Sequence, residues 1–200
     1  MLRRNVNTVT STSAGRLFDA VSAILGIRTA STFEGEASIA LETEAKRFLS
    51  DDPVRLQRAA LEVSLADSEE DSRFLLPTDA IIGRMLTGMH SETPAGQLAC
   101  DFHIYLADGI LKGAERMREK TGVRTVALSG GCFQNMLLLK LCRERLERAG
   151  FVCLTHSLVP PNDGGIALGQ AFAGMWSLNR MRQIPEAEHE AYAADPGRGA

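Results

Sequence analysis

The stretch from Leu128 to Gly150, "LSGGCFQNMLLLKLCRERLERAG", decides the fold. Before it, "VRTVAL" reads as a strand. After Gly130 and Gly131, "CFQNMLLLKLCRERLERA" reads as an amphipathic helix. Past Gly150, "FVCLT" reads as a second strand and "GGIALGQAFAGMWSL" as a final helix. Strand–helix–strand–helix in units this short is the pattern of parallel α/β structure. The two strands are expected to be parallel neighbours, with Gly130 and Gly131 at the carboxyl end of the first. Two clear strands and a doubtful third are fewer than an independent sheet has. The sheet is therefore expected to be incomplete, with an open edge and an exposed apolar patch where other strands belong.

Upstream the chain reads as helical. "STSAGRLFDAVSAIL" (Ser11–Leu25) sets Leu17, Val21, Ile24 and Leu25 on one face. "FEGEASIALETEAKRFL" has acidic residues early and basic ones late, as a helix dipole favours. "DDPVRLQRAALEVSLADSEED" suits either helix or exposed strand. Pro77 opens another helix. Pro94 to Lys120 is the longest, with an apolar stripe of Leu98, Phe102, Tyr105, Leu106, Ile110, Leu111 and Met117. From Pro185 the tail is polar and expected to be disordered.

Composition narrows the function. With 44% hydrophobic residues, 200 residues can bury a core. The net charge of -3 carries no footprint of a DNA binder. No apolar run approaches the roughly 20 residues of a membrane span, and the start lacks the apolar core of a signal peptide. Cys100, Cys132, Cys142 and Cys153 form no C-x-x-C pair, which points to reduced thiols in a cytoplasmic protein.

Several positions carry two readings each. Gly130 and Gly131 either make a tight βα turn or let backbone approach a phosphate, with the unpaired N–H groups of the next helix adding attraction. Asp163, in "VPPNDGGIALGQA", is either a helix N-cap or a carboxylate at the strand end where α/β folds bind a metal-nucleotide. Gly15 and Asp19 share a helix face, and a helical glycine implies close packing or a ligand. Asn135 lies in the first turn after the glycines. Cys132 is either a helix-terminal thiolate or a small packing residue. His156 follows a strand and could line a cleft; His90 reads as a loop residue, His103 as a helix residue, and His189 lies in the tail. No two histidines have metal-ligand helix spacing.

Together, "TSTSAGRLFDAVSAILGI", "FEGEASIALE", "FHIYLADGI", "VALSGGCFQNMLLLKL" and "LVPPNDGGIALGQAFAG" resemble the C-terminal part of the hydrogenase maturation carbamoyltransferases, the HypF family. That resemblance implies a TsaD/Kae-like domain over residues 1–184. The superfold is that of actin, sugar kinases and Hsp70, with RNase-H-like lobes and a nucleotide between them. It implies that Gly15, Asp19, Gly130, Gly131 and Asn135 contact ATP, and that Asp163 binds a divalent metal, Mg, Fe or Zn. The implied reaction passes a carbamoyl group from carbamoyl-adenylate, made from carbamoyl phosphate and ATP, to the C-terminal cysteine of a HypE-type acceptor. The family's first lobe, with the paired metal-binding histidines, is absent, so the missing N-terminal part is an expected partner. Related activities remain open: tRNA threonylcarbamoyl transfer, antibiotic O-carbamoylation, or nucleotide binding without catalysis.

Overall fold

The computed structural model describes residues 8–9, 11–51, 61, 63–67 and 74–181. Its helices follow from the spacing of apolar residues. Helix α1 (Ala14–Ile24) buries Phe18 and Val21. Helix α2 (Glu36–Asp51) buries Ala37, Leu41, Ala45 and Leu49, each four residues from the last and so on one face. Its entry is capped: the Glu36 carboxylate accepts from the Thr32 amide (2.6 Å) and hydroxyl (3.0 Å). Two short strands, β1 (Ala66–Asp67) and β2 (Phe74–Leu75), pair antiparallel. Most of the segment with the ambiguous reading lies outside the described residues, as does the tail from Pro185.

Helix α3 (Thr78–His90) starts directly after Pro77, buries Ile81 and Met85, and includes His90 in its last turn. Helix α4 (Ala95–Thr121) is entered from Pro94 and runs about 40 Å at 1.5 Å per residue. A single apolar stripe understates it. Every residue from Leu98 to Gly109 is buried, whatever its face, while Met117 at the far end is exposed. The reason is that α2, α3 and a later helix all pack on it. Its buried polar groups are accordingly paired: Asp101 with Arg84 (2.8 Å) and Asp108 with Arg145 (2.5 Å).

Strand β3 (Thr125–Leu128) pairs in parallel with β4 (Val152–Thr155), in the register Thr125 with Val152 through Leu128 with Thr155. Helix α5 (Met136–Arg148) joins them and buries Leu137, Leu138, Leu141, Cys142 and Leu146, packing against α4. Helix α6 (Ile166–Met181) follows β4. Its Ile166, Leu168, Phe172, Met175, Trp176 and Leu178 are each more than half exposed, as are Val152 and Leu154 on β4. Among the described residues the parallel sheet therefore has two strands and an uncovered apolar surface, as the short strand inventory requires. Among those residues no helix is long and apolar enough to cross a membrane.

Candidate functional site

The backbone turns sharply where β3 ends. Gly130 has φ 100° and ψ 160°, a conformation in which any side chain is strained. A Cβ added at Gly130 or Gly131 would meet no atom within 4 Å. A 3-10 turn, Gly131–Gln134, comes next, and α5 begins only at Met136, later than the periodicity indicates. Asn135 causes the delay. It is the helix N-cap, and its Oδ1 accepts the Leu138 amide at 2.9 Å.

The loop after β4 is fastened to this turn. The Gly130 amide donates to the Pro161 carbonyl (2.9 Å), and His156 Nε2 lies 2.8 Å from the Ser129 hydroxyl. His156 thus lines the same rim. Gly165 lets the second loop fold tightly, since a Cβ there would sit 2.8 Å from the Pro160 carbonyl oxygen. A 3-10 turn, Asp163–Gly165, leads into α6. Its N-cap is Asn162, whose Oδ1 accepts the Gly164 amide at 3.1 Å. The capping reading of Asp163 is corrected accordingly. The Asp163 side chain is exposed and has no hydrogen-bond or ion-pair partner among the described residues.

The amides at this turn restrict where an anion can bind. Two of the first three N–H groups of α5 are already taken. Asn135 takes Leu138, and Glu42 Oε1, reaching over from α2, accepts the Leu137 amide at 3.0 Å while pairing with Lys46 (2.5 Å). A carboxylate at that terminus occupies the position an anion would take. Among the described residues, the Gly131 and Cys132 amides of the 3-10 turn and the Met136 amide after it remain without a protein acceptor. The Cys132 thiol is pushed up from its ordinary value by burial, so it sits there as a neutral packing group rather than a thiolate.

Helix α1 touches the glycine turn directly. A Cβ at Gly15 would meet only Ser13 Oγ at 3.5 Å, an ordinary contact, so helix packing does not explain that glycine. Asp19 is half-buried and pairs with Arg16 at 2.9 Å. Between them Phe18 packs its ring against Phe102 and His103, with centroids 4.9 and 5.5 Å away. The sequence-selected residues therefore fall into three neighbouring pieces: the glycine turn with Asn135, the loop with Asp163, and α1 with Gly15 and Asp19. His103 is the residue that sequence reading passed over. Its signal was a histidine inside a run that is otherwise buried on every face.

A lone carboxylate fits a hard cation as one oxygen ligand. Among the described residues no three of His, Cys, Asp and Glu gather closely enough to complete a metal site.

Residues 1–170 match the family model described as carbamoyltransferase, Kae1-like domain, second subdomain. The probable carbamoyltransferase HypF of Methanocaldococcus jannaschii is 33% identical over 86% of this chain and 21% of its own length. The carbamoyltransferase HypF of Rhizobium leguminosarum is 37% identical over 93% of this chain and 22% of its own. A crystal structure of full-length HypF in a phosphate- and nucleotide-bound form superposes with a TM-score of 0.72 at 32% identity, covering 84% of this chain and 21% of that one. The chain thus spans about a fifth of the length of these relatives.

Proposed function

Because the chain belongs to the HypF carbamoyltransferase family, through its Kae1-like domain, we propose that it forms part of the nucleotide-binding side of a carbamoyl-transfer site. The reaction passes a carbamoyl group from carbamoyl-adenylate to the C-terminal cysteine of a HypE-type acceptor during hydrogenase maturation. As a thiolate, the acceptor sulfur bonds to the carbamoyl carbon, the carbon–oxygen bond to phosphate breaks, and AMP leaves with the electron pair.

The observation that supports this reading is the tie between the two loops at the carboxyl ends of β3 and β4, the Gly130–Pro161 hydrogen bond. It leaves two backbone donors, Gly131 and Cys132, and one carboxylate, Asp163, without protein partners on joined loops of one rim. Donors and a carboxylate so arranged suit the phosphate chain of a metal-nucleotide. The open space beside Gly130 and Gly131 admits the ligand. Gly15 and Asp19 approach from α1 to contact its nucleoside end, and Asn135 holds the turn. A divalent cation at Asp163 would act as a Lewis acid, offsetting charge on the departing adenylate. Its other ligands come from the upstream part of the family's chain, which also covers the open sheet and α6.

Co-producing the chain with the upstream HypF region, then assaying carbamoylation of a HypE-type acceptor, tests the proposal. Transfer that depends on both parts and falls at least tenfold in Asp163→Asn is expected. Wild-type transfer in Asp163→Asn at saturating ATP and metal would remove the metal assignment, and no transfer by the folded pair would remove the activity.

A further inference from the structure

His103 lies about a third of the way along α4 with no exposed surface, and both ring nitrogens are engaged. Nδ1 is 2.7 Å from the Ala99 carbonyl oxygen, which can only accept, so Nδ1 carries the proton. Nε2 is then a bare acceptor, 2.9 Å from Asn135 Nδ2, which donates to it. The orientation of the Asn135 amide is fixed at its other end too, because Oδ1 accepts the Leu138 amide. Each contact in this series joins a donor to an acceptor, and moving the ring proton to Nε2 or reversing the amide would set two like groups against each other. Phe18 and Phe102 hold the imidazole plane edge-on, at centroid distances of 5.5 and 5.8 Å.

We infer that His103 is a positioning residue for the glycine turn: by accepting from Asn135 it locks that amide as the cap of α5, and so fixes where the Gly131 and Cys132 amides stand. The backbone supports the second step. Asn135 is both the end of the 3-10 turn, where its amide donates to the Cys132 carbonyl (3.2 Å), and the cap of α5. A rotated Asn135 side chain would release Leu138 and let the turn drift. The charged groups near the ring are Glu42 and Lys46, both on α2 and paired with each other, so no net charge competes for Nε2. The consequence for a ligand rests on the nucleotide reading of the turn; the consequence for the turn itself does not.

The experiment compares His103→Phe, which keeps a ring and removes the acceptor, with His103→Gln, whose amide oxygen can accept from Asn135. Amide hydrogen exchange at Leu138, and at Phe133 and Asn135, whose amides bond within the turn, should quicken at least tenfold in His103→Phe and return toward wild type in His103→Gln. Mg-ATP affinity, measured by titration calorimetry, should fall and recover in parallel. Equal exchange in all three proteins would overturn the inference, as would a Gln variant no better than Phe. If the wild type binds no ATP, the nucleotide reading fails, while the exchange comparison still decides the role of His103. Should the Phe variant fail to fold, nitrogen-15 spectra of wild-type imidazole decide instead. A protonated Nδ1 with bare Nε2 supports the inference, and a protonated Nε2 refutes it.

Discussion

Acidification should destabilise this protein through His103 in a window set by its burial. Burial pushes the imidazole down from 6.5 to about 4, the Ala99 hydrogen bond and Glu42 opposing only in part. A depressed histidine is neutral in the folded state while the unfolded chain already takes up a proton. Stability is thus fully present above pH 6.5 and is lost as pH falls toward 4. The slope is about 1.4 kcal/mol per pH unit. The loss from this group is then about 2 kcal/mol at pH 5 and about 3 kcal/mol by pH 4, a large share of the roughly 5–15 kcal/mol of a typical domain. Carboxylates titrate in the same range, so the measurement is a difference. Urea unfolding of the wild type and of His103→Gln would be followed in parallel at pH 7, 6 and 5. The Gln variant keeps the acceptor and lacks the titration, so its stability should fall less steeply by about 2 kcal/mol over that interval. Parallel pH profiles would mean that His103 is protonated in the fold or already shielded in the unfolded chain, and the buried neutral acceptor would be refuted.

Other substitutions separate roles that the site brings close together. Asn162→Ala should lower stability by about 1 kcal/mol through loss of the cap on Gly164, whereas Asp163→Ala and Asp163→Asn should leave thermal unfolding unchanged and weaken only metal-dependent ATP binding. Gly165→Ala places a Cβ 2.8 Å from the Pro160 oxygen and should cost about 1–3 kcal/mol in chemical unfolding, while Gly131→Ala, which meets no atom, should cost little and report ligand contact alone. Asp108→Ala breaks the buried pair with Arg145 and also frees the Leu61 amide (2.8 Å), so a loss of about 3–5 kcal/mol by urea unfolding is expected.

What the sequence made legible was local and periodic. The helical faces of α1 and α2, the two parallel strands and the glycine position between them all follow from spacing and from the special backbone of glycine. The start of α5 was misplaced because Gln134 and Asn135 fit a helix as well as a 3-10 turn. Only the capping bond to Leu138 separates the two, and it depends on where the Asn135 amide is held. The same blindness affected Asp163, since "ND" offers two equivalent caps and the geometry of the loop chooses Asn162. Glu42 shows the deeper limit. It read as one more acidic residue of α2, yet 95 positions later its carboxylate caps Leu137. Partnerships at that separation come from the packing of α2 and α5 around α4, which no pattern within either helix encodes.

The placement of those distant bonds bears on how a two-stranded sheet can present an ordered site. A two-stranded sheet alone is marginal in water, and β4 has Val152 and Leu154 exposed. Yet the glycine turn does not depend on the sheet alone. It is held from behind by His103 on α4 and Glu42 on α2, both acting on the first turn of α5. These helices share one buried core running from Phe18 through Leu41 and Phe102 to Leu141. The turn is therefore organised by the buried helical core, while the loop with Asp163 and α6 are exposed. On the carbamoyltransferase reading, an upstream part would contribute metal ligands and cover α6, but it would find the backbone donors of Gly131 and Cys132 already set in place.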